Sequence, residues 1–171
     1  IFAALDDEQF IEQEVVLSRD NQPVVFNDIY LENSTNVVSV YPDRVREDGR
    51  YYVLDFTLAE LKGLQLTDNP QLSSQLYLSG FDETLSLIRR MEKKLGKTIG
   101  IAPKLVKTWF HKVEGKDLCG RTLSSLQTYG YTSRESKVLF QSYDTEELQR
   151  ARNTLLPMMQ MDIPLVQLIE E

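Results

Sequence analysis

The stretch from Ile99 to Gln141, IGIAPKLVKTWFHKVEGKDLCGRTLSSLQTYGYTSRESKVLFQ, decides the fold class. Its first seven residues, Ile99 to Leu105, form an apolar run of strand length. Gly115 to Tyr129 then places Leu118, Thr122 and Leu126 along one helical stripe, with Gly130 positioned to end it, and Val138 to Gln141 returns to strand character. Downstream, Asp144 and Glu147 cap a helix bearing Leu148, Ala151 and Leu155, Pro157 follows its end, and Ile163 to Ile169 reads as a last apolar strand. Strand, helix, strand, helix, strand is the order of right-handed βαβ units. The sequence therefore predicts an α/β domain built on a parallel sheet with covering helices.

Upstream the signals are shorter. Phe10 to Leu17 and Val24 to Phe26 read as strands separated by the polar turn Ser18 to Pro23. Asn33 to Arg50, interrupted by Pro42 and Gly49, reads as an irregular excursion before Tyr51 to Phe56 resumes an apolar pattern. Thr57 with Glu60 makes a capping box for a short helix carrying Leu58, Leu61 and Leu64. Thr67 to Ser79 reads as loop. Ser79 with Asp82 offers a second cap, followed by Leu85, Ile88 and Leu95 on one face and Gly96 at the expected left-handed end. The charged residues from Arg89 to Lys94 read as a solvated helix face.

The chain has 171 residues, 42% apolar and 26% charged, with a net charge of −7, one histidine and one cysteine. This fits a single globular domain over residues 1–171. The acidic balance without a basic run argues against nucleic acid as a partner. A lone cysteine excludes an internal disulfide and a structural zinc cluster, and no apolar stretch is long enough for a transmembrane segment. The chain starts at Ile1 with no signal-peptide pattern and is read as a processed form or a fragment.

Few residues carry chemistry. Glu12 and Glu14 alternate along a strand and so share a face; they suit Mg²⁺ or Ca²⁺, while a solvated acidic edge is the commoner reading of such carboxylates. Asn27 and Asp28 close the next strand, where α/β proteins place ligand-binding groups, though both also suit a turn. Lys104, near Lys107, ends the Ile99 strand and would receive an anion, neutralise the two glutamates, or lie on an exposed basic loop. Trp109 would wall a ligand pocket or pack. His111 has no partner discernible in sequence and reads as a packed residue, as does Cys119. No glycine-rich phosphate loop or serine elbow is present.

The segments Phe10 to Leu17 (FIEQEVVL), Val24 to Asp28 (VVFND), Tyr41 to Arg44 (YPDR), Asp48 to Tyr52 (DGRYY), Asp55 to Leu58 (DFTL), Trp109 to His111 (WFH), Glu114 to Asp117 (EGKD) and Leu165 to Ile169 (LVQLI) run colinearly over nearly the whole chain. In that order they resemble the bacterial periplasmic type of glycerophosphodiester phosphodiesterase. The resemblance implies a TIM-barrel scaffold and hydrolysis of glycerophosphodiesters to an alcohol and glycerol 3-phosphate. It also implies a divalent metal on three carboxylates, with two histidines as general acid and base.

Carried over by position, Glu12 falls on one metal carboxylate and Glu14 on a second, where the family usually has aspartate. Asn27 falls on a family histidine, Lys104 on the third metal carboxylate, and the other histidine belongs to a strand this chain does not contain. The resemblance covers about the second to sixth strands, so the expected fold is an incomplete TIM-barrel-like parallel sheet with covering helices, truncated at both ends relative to a full barrel. Open sheet edges imply a protein partner or homo-oligomer. The location implied is periplasmic or extracellular. The expected function is a catalytically degenerate family member, with no cofactor, retained as a binding or structural subunit. The alternatives are part of an active Mg- or Ca-dependent phosphodiesterase whose missing strands another chain supplies, and an accessory subunit of a large assembly.

Overall fold

Alternation of Glu12, Glu14 and Val16 with Ile11, Gln13, Val15 and Leu17 gives strand β1 (Phe10–Leu17) two chemically distinct faces. The computed structural model describes residues 10–67 and 76–169. After β1, residues 18–22 turn the chain back into β2 (Pro23–Val25), antiparallel to β1 with Val15 opposite Val25 and Leu17 opposite Pro23. β3 (Ser79–Gly80) adds a second antiparallel pairing beyond β2. On its other side β1 pairs in parallel with β4 (Gly100–Leu105), followed by β5 (Phe140–Ser142) and β6 (Leu165–Gln167), also parallel. Among the described residues the order is β3-β2-β1-β4-β5-β6, an open sheet with β3 and β6 at its edges.

The sheet is thus parallel over β1, β4, β5 and β6, in keeping with the expected incomplete parallel sheet, and antiparallel only where β2 and β3 are added at one edge. The reason is connection length. A parallel return needs a crossover of about a dozen residues or more, and the short turn before β2 permits only a hairpin.

Helices α3 (Phe81–Leu95), α5 (Leu118–Thr128) and α6 (Thr145–Arg150) pack along the sheet, α3 on β2 and β3, α5 on β1 and β2, and α6 on β5 and β6. Val15, Leu17, Ile88, Leu123 and Leu126 are fully buried in the resulting core. Gly96 ends α3 at φ 67°, a left-handed position that a side chain would strain. The capping box of α2 (Leu58–Leu61) forms as its sequence predicts, with Thr57 and Glu60 each accepting the other's backbone N–H.

Other boundaries move. Ser79 is held in β3 against Val25, so α3 is capped one residue later, where Glu83 rather than Asp82 accepts the Gly80 N–H. The helix predicted from Gly115 starts later, at Leu118. A separate helix α4 (Thr108–Val113) precedes Gly115, which has φ 69°, and Asp117 caps α5 by accepting the Gly120 N–H at 2.9 Å. The excursion after Asn33 contains a one-turn helix, α1 (Val37–Val40), and a 3₁₀ turn at Pro42–Arg44.

Pro157 does not follow the last helix but lies inside it. After α6 the chain widens into a π turn over Ala151–Leu155, where the Leu156 N–H reaches the Ala151 carbonyl, before α7 (Leu156–Met158). Proline has no N–H to return to the preceding turn, and a widened ladder accommodates it. The final strand shrinks to Leu165–Gln167. Of the predicted loop Thr67 to Ser79, residues 68–75 lie outside the described residues, and Tyr77 bridges to Gln65.

Candidate functional site

The site forms where β1 and β4 run side by side. Their parallel register sets Glu12 beside Ala102 and Glu14 beside Lys104, so the two glutamates and the lysine project from one face of the sheet. The Lys104 Nζ lies 2.8 Å from Glu14 Oε1 and 3.0 Å from Glu12 Oε1. Its side chain is 18% exposed, against 53% for Glu12 and 34% for Glu14. The Glu14 carboxylate, seconded by Glu12 and opposed by burial, holds the Lys104 ammonium above the usual lysine range.

Two clefts flank this triad. One, of about 530 Å³, lies over the carboxyl ends of β4 and β5 and is lined by Glu14, Lys104, Lys107, Trp109, Tyr143 and Asp144 among others. The second, of about 400 Å³, is lined by Glu12, Glu14, Asn27, Tyr77 and their neighbours. Asn27 is exposed at the end of β2. Asp28 accepts the Ile29 N–H at 2.7 Å and pairs with Lys107 Nζ at 2.6 Å. Asp144 caps α6 while holding Lys112 at 2.9 Å and the Thr108 hydroxyl at 2.8 Å. Burial opposes the Asp144 charge, yet these donors keep its carboxyl below the usual range.

His111 is set apart from these clefts. It is fully buried, its Nε2 accepts the Leu17 N–H at 3.1 Å, and its Nδ1 lies 3.2 Å from the Lys107 carbonyl. Those partners assign the tautomer with the proton on Nδ1, and burial pushes the imidazole down to about 4. Cys119 is likewise buried, which pushes its thiol up to about 12.

A divalent metal of the kind the resemblance implies does not fit these residues. The position between the two glutamates is taken by an ammonium, and no group of three or more His, Cys, Asp or Glu among the described residues is arranged to hold a metal ion. Mg²⁺ and Ca²⁺ demand several oxygen donors and repel a neighbouring lysine.

A model of the "Glycerophosphoryl diester phosphodiesterase family" matches residues 3–171. The chain belongs to this family. Two curated relatives named glycerophosphodiester phosphodiesterase, from Haemophilus influenzae and Treponema pallidum, are each 38% identical to it. The alignments cover 94% and 98% of this chain but 48% and 51% of theirs, so the chain spans about half the length of these phosphodiesterases. Its fold resembles an Oleispira antarctica phosphodiesterase solved with its product sn-glycerol-3-phosphate, at a TM-score of 0.61 and 22% identity, over 92% of this chain and 53% of that one. A glycerophosphoryl diester phosphodiesterase structure from Silicibacter pomeroyi compares at a TM-score of 0.60 and 18% identity, over 92% and 55%. These likenesses support a TIM-barrel-like α/β fold for this member of the phosphodiesterase family.

Of the residues singled out in sequence, the structure brings Glu12, Glu14 and Lys104 into contact and sets Asn27 and Trp109 on opposite flanks. Trp109 is 58% exposed, so it lines the cleft wall rather than the core. Tyr143, 48% exposed on the same cleft, escaped sequence reading. Its place directly after a parallel strand is the one signal that points to it.

Proposed function

We propose that this chain is a glycerophosphodiester phosphodiesterase-like domain that no longer hydrolyses its ligand and serves as a binding or structural subunit. One observation carries this reading: the Lys104 ammonium sits against both Glu12 and Glu14, at the position the family resemblance gives to a metal carboxylate. An ammonium balances charge there, but it supplies no Lewis acid to polarise a phosphoryl oxygen. The acid–base side points the same way. Asn27, at the position of a family histidine, carries an amide that neither gives nor takes a proton near neutral pH. His111 is buried with both ring nitrogens engaged. Under this reading no cofactor is needed, the open edges at β3 and β6 are covered by a protein partner or a second copy, and the protein works in the periplasm or outside the cell.

A second reading is favoured by the 38% identity to two relatives named glycerophosphodiester phosphodiesterase. In it the chain is part of an active enzyme, its missing strands are supplied by another chain, and Glu12 and Glu14 hold Mg²⁺ or Ca²⁺. Incubation of the protein purified in its native assembly with glycerophosphocholine, with and without each metal, separates the two. The first reading expects no glycerol 3-phosphate in either condition, and metal-dependent release establishes the second.

A further inference from the structure

A cleft of about 370 Å³ lies at the amino ends of β5 and β6, the end of the sheet away from Trp109 and Tyr143. Its floor is apolar, with Leu156, Met161 and Ile163 buried beneath it. The break in the last helix builds one wall: the π turn over Ala151–Leu155 carries Arg152, and turns of this kind recur at functional sites. Backbone bonds hold the rest in place. The Met161 N–H donates to the Leu156 carbonyl and the Asp162 N–H to the Thr132 carbonyl, each at 2.9 Å. The volume falls in the range of small-molecule sites.

Charge selects the ligand. Arg134, Arg152 and Asp162 line the cleft, and Asp162 is taken by Arg134 at 3.0 Å. Arg152 has no carboxylate partner among the described residues. Glu135, next to Arg134 in the chain, does not line the cleft and accepts the Ser133 hydroxyl instead. The lining therefore keeps one positive charge over an apolar floor. A guanidinium presents a rigid planar fork that matches a carboxylate, so one free arginine suits one monoanionic head. A phosphate dianion would need a second free cation, and Arg134 is already engaged.

We infer that this cleft binds a small amphiphilic monoanion, a medium-chain carboxylate, with Arg152 pairing with its head and Leu156, Met161 and Ile163 receiving its chain. The site stands apart from Glu12, Glu14 and Lys104, so it holds or falls independently of the proposed function.

Calorimetric titration of sodium octanoate into the full chain should show saturable binding of one ligand per chain. Octylammonium chloride and 1-octanol should bind at least about tenfold more weakly, and shortening the chain to hexanoate should cost about tenfold through two lost methylenes. Arg152 is exposed, so Arg152→Gln leaves the fold in place and should raise the dissociation constant for octanoate about tenfold. The Met161 methyl resonance should move on binding while that of Met91, on α3, should not. Absence of saturation, equal affinity for octylammonium, an unchanged constant in Arg152→Gln, or a stationary Met161 resonance overturns the assignment.

Discussion

His111 offers the prediction whose size follows most directly from the structure. Its ring is sealed between the Leu17 N–H and the Lys107 carbonyl, so protonating Nε2 would both place a charge in the core and turn an acceptor into a donor facing another donor. Burial takes the imidazole from 6.5 to about 4. The folded value lies below the unfolded one, so the stability this provides is complete above the unfolded value and is lost as pH falls toward the folded value. At ~1.4 kcal/mol per unit, the loss reaches about 2 kcal/mol near pH 5 and about 3 kcal/mol once both states are protonated.

Carboxylates also titrate in that window, and comparison with a His111→Gln variant cancels them. Glutamine keeps an acceptor for Leu17 and has no proton to gain. Urea denaturation of both proteins should show the wild-type advantage at about pH 7.5 shrinking by about 2 kcal/mol at about pH 5. Because the chain has one histidine, its imidazole proton resonance can be followed without assignment and should titrate near 4. A midpoint near 6.5, or an advantage independent of pH, would refute the buried neutral ring and would return His111 to the list of possible proton carriers.

Two further outcomes follow from the same structure. In a double-mutant cycle of Lys104→Met with Glu14→Gln, the coupling energy should be about 1 kcal/mol and should exceed that with Glu12→Gln, because Glu12 is the more exposed partner; urea denaturation of the four proteins in each cycle measures it. The Cys119 thiol, pushed up to about 12, should ignore a thiol reagent at about pH 8 in the native protein and react once per chain after unfolding.

The parts of the fold legible in sequence are those where a local signal and the tertiary outcome agree. β1 is bounded where its alternation stops, and α3 ends where Gly96 permits a left-handed turn. What was not legible depended on pairing across the sheet. Ser79 looks like a helix cap until β2 claims it, and Thr108 to Val113 is too short a helix to show a periodic face. Pro157 reads as a stop because a π turn leaves no mark in the sequence.

The site divides in the same manner. Glu12, Glu14 and Lys104 were legible as charges of opposite sign at strand positions, but only the register of β1 on β4 decides that they touch. Tyr143 was not legible, since a single aromatic residue after a strand looks like any half-buried ring. The buried hydrogen bonds of His111 to a strand distant in sequence could not be read locally either.

The proposed function requires the Lys104 ammonium to stand in place of a divalent cation between Glu12 and Glu14. Calorimetric titration of Mg²⁺ and Ca²⁺ into the purified chain tests it most directly. No stoichiometric binding of either ion is expected. Tight binding of one ion per chain, abolished by Glu12→Gln or Glu14→Gln, would contradict it.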